Sequence, residues 1–208
     1  MDSTFIQEEV IDLLADEAGV GEQVAQITER AMRGELDFRE SLQERVALLQ
    51  GLHEETFQRV RSRIHLSNGA TTLVNSLHEA GSYVGVVSGG FENIIAPILA
   101  EVGVDFYKAN TLEIKDGVLT GKIVGPIIDK FAKREFLEKY ARECGIEMSH
   151  TVAVGDGAND LEMMSVAGLS VAFNAKPIVQ QSANKEITTG NLAQILDFLD
   201  IPLSALEK

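Results

Sequence analysis

The sequence predicts an α/β fold with a Rossmann-like parallel sheet core, an inserted helical cap and a small β-hairpin. From residue 70 onward, short apolar runs alternate with helical segments, which is typical of a parallel sheet with right-handed crossovers. Residues 6–63 place their apolar side chains almost wholly at helical spacing. Residues 112–124 alternate around Lys115-Asp116-Gly117, which is a strong hairpin signal.

These patterns predict the domain organisation. We expect residues 1–5 and 66–208 to form the core, residues 6–65 to form the cap, and residues 112–124 to form a hairpin within the core. Within the cap, the stretch from Arg39 to Leu49 is amphipathic and places Leu42, Val46 and Leu49 on one face.

The core elements follow one another along the chain. Predicted helices cover residues 72–80, 91–102, 130–144 and 192–199. Predicted strands cover residues 83–87, 106–109, 151–154 and 170–173. The strands are short apolar runs, which indicates burial on both faces of the sheet. Polar residues that follow such strands lie at the carboxyl edge of the sheet, where open α/β sheets bind ligands.

Composition limits the classes of partner. The formal net charge of −14 argues against nucleic acid and against anionic membrane surfaces. The negative net charge does not exclude a phosphorylated substrate, because a bound cation can make the local electrostatic field positive. Cys144 is the single cysteine, so no disulfide framework is expected and a reducing cytoplasm is favoured. No apolar run reaches the roughly 18 residues of a membrane span, and no signal peptide opens the chain.

The segment from Val152 to Asp160 carries the most chemical information. An apolar strand ends in a tight turn that holds Asp156 and Asp160, and Gly155 and Gly157 let the backbone approach a ligand closely. Two carboxylates in the crevice beyond a strand predict a hard divalent cation bound by oxygen. An aspartate that merely caps the next helix is the structural alternative.

Three further segments can serve the same chemistry. The chain opens with Asp2 in Met1-Asp2-Ser3-Thr4. Ser88 ends a predicted strand and precedes two glycines, whose N–H groups predict a phosphate cradle. Lys133 offers a point charge to a phosphoryl group. Taken alone, Ser88 could be an N-cap and Lys133 could lie on a solvated helix face.

In this order, the segments resemble the haloacid dehalogenase-like phosphohydrolases and, within them, the phosphoserine phosphatases. The resemblance covers essentially the whole chain and rests on Asp2-Ser3-Thr4, Glu9, the run from Met32 to Phe38, Ser41-Leu42, Arg45-Val46, the run from Val87 to Phe91, Gly125, Lys133 and the run from Gly155 to Asp160. It implies Mg²⁺-dependent hydrolysis of O-phospho-L-serine through an aspartyl-phosphate, as the last step of serine biosynthesis.

The resemblance also implies roles around the metal and the phosphate. Asp156 matches the carboxylate metal ligand, and Asp160 matches the acid that supports the metal directly or through water. The Asp2 carbonyl matches a further metal ligand, and its carboxyl matches the general acid that protonates the leaving serine oxygen and then activates water. The groups that hold the phosphoryl oxygens match Ser88, Gly89 and Lys133.

In the cap, the resemblance implies the residues that select the substrate. Glu9 matches the residue that faces the substrate ammonium, and Arg45 matches the one that faces its carboxylate. Met32 and Phe38 would form an apolar lid, and Asn159 matches a polar substrate contact. Simpler interpretations exist: Glu9 could stabilise a helix dipole, Arg45 could pair with a neighbouring glutamate, and Met32 and Phe38 could be ordinary core.

The first motif departs from the family pattern Asp-x-Asp-x-Thr. Asp2 aligns with the second Asp, so the nucleophile and its strand would precede Met1, and we expect the 208-residue chain to be inactive as it stands. Three explanations stay open: a shortened form of a longer protein, a pseudoenzyme that binds phosphoserine without turnover, and a core completed by a partner or swapped strand.

Three alternatives to the function itself also stay open. The chain could act on another small phosphoester, transfer the phosphoryl group to another alcohol, or bind without catalysis. The oligomeric state is open as well, and a homodimer is compatible with the sequence.

Overall fold

The computed structural model describes residues 1–201, and its α/β architecture confirms the predicted fold class; residues 202–208 of the predicted core lie outside the described part. The helices are α1 (Val10–Ala18), α2 (Gly21–Met32), α3 (Phe38–Ala47), α4 (Thr56–Ser62), α5 (Ala70–Glu79), α6 (Glu92–Val102), α7 (Lys130–Glu143), α8 (Leu161–Met164), α9 (Pro177–Ser182) and α10 (Ile195–Phe198). The strands are β1 (Gly85–Phe91), β2 (Phe106–Lys115), β3 (Val118–Val124), β4 (Val152–Gly155), β5 (Leu169–Phe173) and β6 (Lys185–Ile187).

Within residues 1–201, the strands form two three-stranded sheets. One has the order β1-β2-β3, with β1 and β2 parallel and β2 and β3 antiparallel. The other has the order β4-β5-β6 and is parallel throughout. The first residues of the chain connect the carboxyl ends of the two sheets, because Ser88 of β1 contacts Asp2 and Asp156 after β4 contacts Thr4. The carboxyl ends of β1 and β4 therefore lie close to each other, on either side of the first residues of the chain.

Helices α1–α4 form the cap above these strand ends. The cap joins the core where Ile6 pairs with Leu66 in an antiparallel bridge. A second junction lies at the hairpin, where the Gly51 N–H donates to the Leu119 carbonyl at 2.9 Å. The cap is therefore joined to the core at its first residues and at the hairpin, and the domain boundaries assigned from the sequence stay a prediction.

One hydrophobic core runs from the cap into the sheets. Leu14 and Leu49 of the cap and Phe91 and Phe173 of the strands belong to the same buried cluster. Burying one such side chain contributes roughly 1.5–3 kcal/mol, so the cap and the core stabilise each other. No helix within residues 1–201 combines the length and the apolar character needed to cross a membrane.

The structure differs from the sequence-based elements in three places. The helical segment predicted from residue 6 begins only at Val10, because Ile6 pairs with Leu66 instead. Strand β1 extends through Ser88 to Phe91, whereas its last residues were predicted to lie beyond the strand. The predicted final helix is a 3₁₀ turn followed by the four-residue α10.

Helix α9 and strand β6 were missed altogether. Strand β6 is three residues long with two of them exposed, so it shows no apolar run. Helix α9 covers only six residues. Elements this short give no periodic pattern to read.

Candidate active site

The residues predicted from the sequence converge on one cavity of about 680 Å³ between the cap and the carboxyl ends of β1 and β4. A cavity of this size suits a small-molecule ligand. Every predicted site residue lines it: Asp2, Glu9, Met32, Phe38, Arg45, Ser88, Gly89, Lys133, Asp156, Asn159 and Asp160.

The turn after β4 is closed by the Asp160 carboxylate. Its Oδ2 accepts hydrogen bonds from the backbone N–H groups of Asp156 and Gly157, each at 3.3 Å. A side chain at Gly155 would collide with this carboxylate, so glycine is required where β4 ends. The turn thereby buries Asp160 and turns Asp156 towards the cavity.

Lys133 and Asp160 form a buried ion pair below the cavity. The Lys133 Nζ donates to Asp160 Oδ1 at 2.7 Å, and the side chains are 5% and 7% exposed. Helix α7 sets this position, because the Asp129 carboxylate caps its N-terminus and Lys133 lies one turn further along. The solvated-face interpretation of Lys133 is wrong, since a lysine buried to this degree needs a charged partner.

Asp2 and Ser88 meet at the end of β1. The Ser88 hydroxyl donates to Asp2 Oδ2 at 3.3 Å and accepts from the Gly90 N–H at 2.9 Å. Asp2 Oδ1 accepts from the Val10 N–H at 3.4 Å, where α1 begins. Ser88 is therefore not an N-cap, and the Gly90 N–H, one of the donors expected in the phosphate cradle, is already used by Ser88.

The oxygen donors near Asp156 fit a hard cation such as Mg²⁺. The Asp156 carboxylate is half-buried, and burial followed by the charge of Asp160 raises its pKa. Within residues 1–201, no donor bonds to the Asp2 carbonyl, and no group of three His, Cys, Asp or Glu side chains surrounds a common point. Asp156 and the Asp2 carbonyl would hold the cation. Asp160 already bonds to Lys133 and the loop, and its expected support of the cation, directly or through water, stays a prediction.

Glu9 lies on the cap side of the cavity. Its Oε1 accepts from the Ser3 hydroxyl at 2.6 Å, and burial followed by the charge of Asp2 raises its pKa. Glu9 precedes α1 but makes no side-chain hydrogen bond to the helix end. Its carboxylate is therefore oriented by Ser3 and not by capping.

Arg45 projects from α3 into the same cavity. Its Nε donates to the Ser41 carbonyl at 3.2 Å, and burial lowers the pKa of the guanidinium. Within residues 1–201, no carboxylate lies within ion-pair distance of Arg45, and Glu44 pairs with Arg30 instead. The terminal guanidinium nitrogens are therefore available to an anionic ligand.

Two apolar residues of the cap lie near the mouth of the cavity. Met32 is 74% exposed, which contradicts its interpretation as ordinary core. Phe38 is half-buried and packs its ring on Gly89, where an added Cβ would lie 2.9 Å from the Phe38 Cζ. Phe38 thus makes a direct contact between cap and core.

Sequence reasoning missed two residues of the cavity wall that contact each other. Arg39 of the cap pairs with Asp129 of the core. An aspartate directly before a predicted helix is an N-cap signal, and this signal could have identified Asp129. The pairing itself spans 90 positions, and no local pattern could have shown it.

Comparison with known proteins places the chain in a family. The family profile described as haloacid dehalogenase-like hydrolase matches residues 1–165. The chain belongs to the haloacid dehalogenase-like hydrolases. Among curated relatives, it is 53% identical over 200 residues to a phosphoserine phosphatase of Streptococcus thermophilus, covering 96% of this chain and 93% of the relative. It is 48% identical over 207 residues to a phosphoserine phosphatase of Streptomyces coelicolor and spans half the length of that relative.

Solved structures of this hydrolase family share the fold closely. A phosphoserine phosphatase that carries a phospho-aspartyl intermediate analogue aligns with a TM-score of 0.89 at 44% identity, covering 95% of each chain. A substrate-bound phosphoserine phosphatase complex aligns with the same TM-score and identity. The similarity therefore extends over the cap as well as the sheets.

Proposed function

We propose that the cavity binds O-phospho-L-serine together with Mg²⁺ and serves phosphoserine hydrolysis in serine biosynthesis, in the cytoplasm. The observation that carries the proposal is that the phosphate-binding groups and the groups for an amino acid lie on opposite sides of the cavity. Lys133 and Ser88 lie on the core side for the phosphate, while Glu9 and Arg45 lie on the cap side for the ammonium and the carboxylate. The names of the similar proteins support the same substrate.

The residues of the chain supply several parts of this chemistry. When a carboxylate placed before Met1 attacks phosphorus and the bond from phosphorus to the serine oxygen breaks, Asp2 would protonate that oxygen. Asp2 would then take a proton from the water that hydrolyses the aspartyl-phosphate. Ser88 and Lys133 hold phosphoryl oxygens, and the Lys133 charge stabilises them in a site partly shielded from water. When bound at Asp156 and the Asp2 carbonyl, Mg²⁺ neutralises phosphoryl charge.

Phosphate release is expected to require a nucleophilic carboxylate two positions before Asp2, whereas phosphoserine binding does not require it. The carboxylate that attacks phosphorus in the family pattern aligns before Met1, and Asp160 cannot replace it because its oxygens bond to Lys133 and the loop. Calorimetry with phosphoserine and Mg²⁺, run beside a phosphate-release assay, measures both quantities.

The two readouts separate the ways in which this proposal can fail. Absence of binding would contradict the substrate assignment, and ordinary turnover would contradict the assignment of the nucleophile. As a control, a polypeptide with an apolar strand ending in Asp placed before Met1 should release phosphate.

Substituting Arg45 with alanine should separate phosphoserine from other small phosphoesters. A charge-assisted hydrogen bond contributes about 1.5–3 kcal/mol, so the Kd for phosphoserine should rise by roughly 10- to 150-fold. Binding of inorganic phosphate should stay unchanged, because phosphate has no carboxylate to contact Arg45. Arg63→Ala removes the same charge from the cap surface, where Arg63 pairs with Asp16, and should leave both affinities unchanged. An equal loss for both ligands in Arg45→Ala would contradict the amino-acid assignment.

A further inference from the structure

An ion pair closes the mouth of the cavity between cap and core. Arg39 lies in the first turn of α3, and Asp129 lies directly before α7. The Arg39 guanidinium donates to Asp129 Oδ2 through Nη2 at 2.7 Å and through Nε at 3.2 Å. The Arg39 side chain is 56% exposed, while that of Asp129 is 16% exposed. The acceptor of this ion pair is therefore mostly buried.

The two carboxylate oxygens of Asp129 accept hydrogen bonds from different partners. Oδ1 accepts from the backbone N–H groups of Phe131 and Ala132 and fixes the start of α7, while Oδ2 accepts from Arg39. Burial opposes ionisation of Asp129, but these hydrogen bonds prevail and lower its pKa. Because α7 also carries Lys133, the cap contacts the same helix start that positions the buried lysine.

The neighbouring residue strengthens this contact. Phe38 precedes Arg39 and packs on Gly89 of β1, so two consecutive cap residues contact two parts of the core that line the cavity, β1 and the start of α7. Other cap–core contacts include the Ile6–Leu66 bridge, the Gly51–Leu119 bond and the bond from Arg61 to the Asn93 carbonyl. Separating the start of α3 from the start of α7 requires the Arg39–Asp129 bond to break.

We propose that Arg39 and Asp129 form a latch that positions the cap over the cavity and slows the release of a phosphorylated ligand. The identity of that ligand rests on the proposed function, whereas the latch itself rests on the contact between Arg39 and Asp129. Both residues are positioning residues, since they act through the placement of the cap and of α7.

The first test needs no ligand. Arg39→Gln and Asp129→Asn should each speed amide hydrogen exchange of residues 36–41 by about 2- to 5-fold, the range expected when one partly exposed ion pair is lost. Asn is a good N-cap, so Asp129→Asn removes the charge while keeping the helix start. The double variant should match either single variant, because both changes break the same bond.

The second test measures ligand release. O-phospho-L-serine with Mg²⁺ should dissociate about 2- to 5-fold faster from Arg39→Gln than from the unaltered chain, and Arg39→Lys should recover part of the difference. Raising NaCl from about 0.05 to 1 M should remove the difference, because salt screens an exposed ion pair but not a packing defect. Arg63→Gln, which breaks a cap-surface pair with the same change in charge, should release the ligand at the normal rate.

The outcomes separate the latch from the substrate. If the unaltered chain fails to bind phosphoserine, the proposed function fails while the exchange experiment still decides on the latch. If exchange of residues 36–41 is the same in Arg39→Gln and the unaltered chain, the latch is overturned whatever the ligand. Additive effects in the double variant, or a difference that persists at high salt, would also overturn it.

Discussion

Substituting Lys133 with methionine is expected to lower the free energy of unfolding by about 3–5 kcal/mol and to abolish phosphate binding. Methionine fills a similar volume but leaves the Asp160 carboxylate buried without a charged partner, and an uncompensated buried charge is strongly destabilising. The ion pair is short, and both side chains are almost fully buried. Chemical denaturation and calorimetry with inorganic phosphate measure the two effects.

A second variant separates stability from ligand binding. Lys133→Met combined with Asp160→Asn removes both charges, so it should regain most of the lost stability. It should not regain phosphate binding, because no cation replaces Lys133. Normal stability of Lys133→Met would show that Asp160 does not depend on this partner. Recovery of phosphate binding in the double variant would contradict the phosphate-binding role of Lys133.

The parts of the site that the sequence predicted are those built within short segments. Val152 to Asp160 contains a strand, a turn and two acids, and the structure shows β4 followed by a tight turn closed by Asp160. Local sequence determines such geometry because glycine is required at fixed positions and a carboxylate can bond to N–H groups of its own turn. The alternation of strands and helices likewise predicted the fold class.

The parts that the sequence did not predict depend on contacts between distant segments. The burial of Lys133 follows from Asp160, which lies 27 positions further along the chain. The bond from Arg39 to Asp129 crosses between cap and core. In the sequence, Arg39 looks like an ordinary polar residue of a helix, and Asp129 shows only an N-cap signal. Periodicity reports which face of an element is apolar, but it does not report which charged residues meet across two elements.

The orientation of Asp160 changes how the metal site is understood. The sequence placed Asp156 and Asp160 in one turn and predicted that both serve a cation. In the structure, the Asp160 oxygens bond to Lys133, Asp156 N–H and Gly157 N–H, and both Asp156 and Asp160 line the cavity. Asp160 thus organises the turn that carries Asp156, and its support of the metal stays a prediction. The conformation of the turn should therefore control cation binding.

Substituting Gly155 with alanine tests this dependence. The new methyl group would collide with the Asp160 carboxylate, which is held on its other side by Lys133. An extra methyl group in a tightly packed interior typically lowers the free energy of unfolding by about 1–3 kcal/mol. The clash can be relieved only if the turn moves. We expect a loss of stability in this range and a loss of the Mg²⁺ dependence of phosphoserine binding. Denaturation and calorimetry at several Mg²⁺ concentrations measure these effects.

Gly85→Ala provides the matched control. Gly85 also lies in a strand, but an added Cβ there meets its nearest neighbours only at 3.8–4.0 Å, which is ordinary contact. This change should alter stability by no more than about 0.5 kcal/mol and leave the Mg²⁺ dependence intact. If Gly155→Ala behaved like Gly85→Ala, the turn would tolerate displacement of Asp160. Cation binding would then depend on Asp156 and the Asp2 carbonyl but not on the position of Asp160, and Asp160 would serve Lys133 and the stability of the fold.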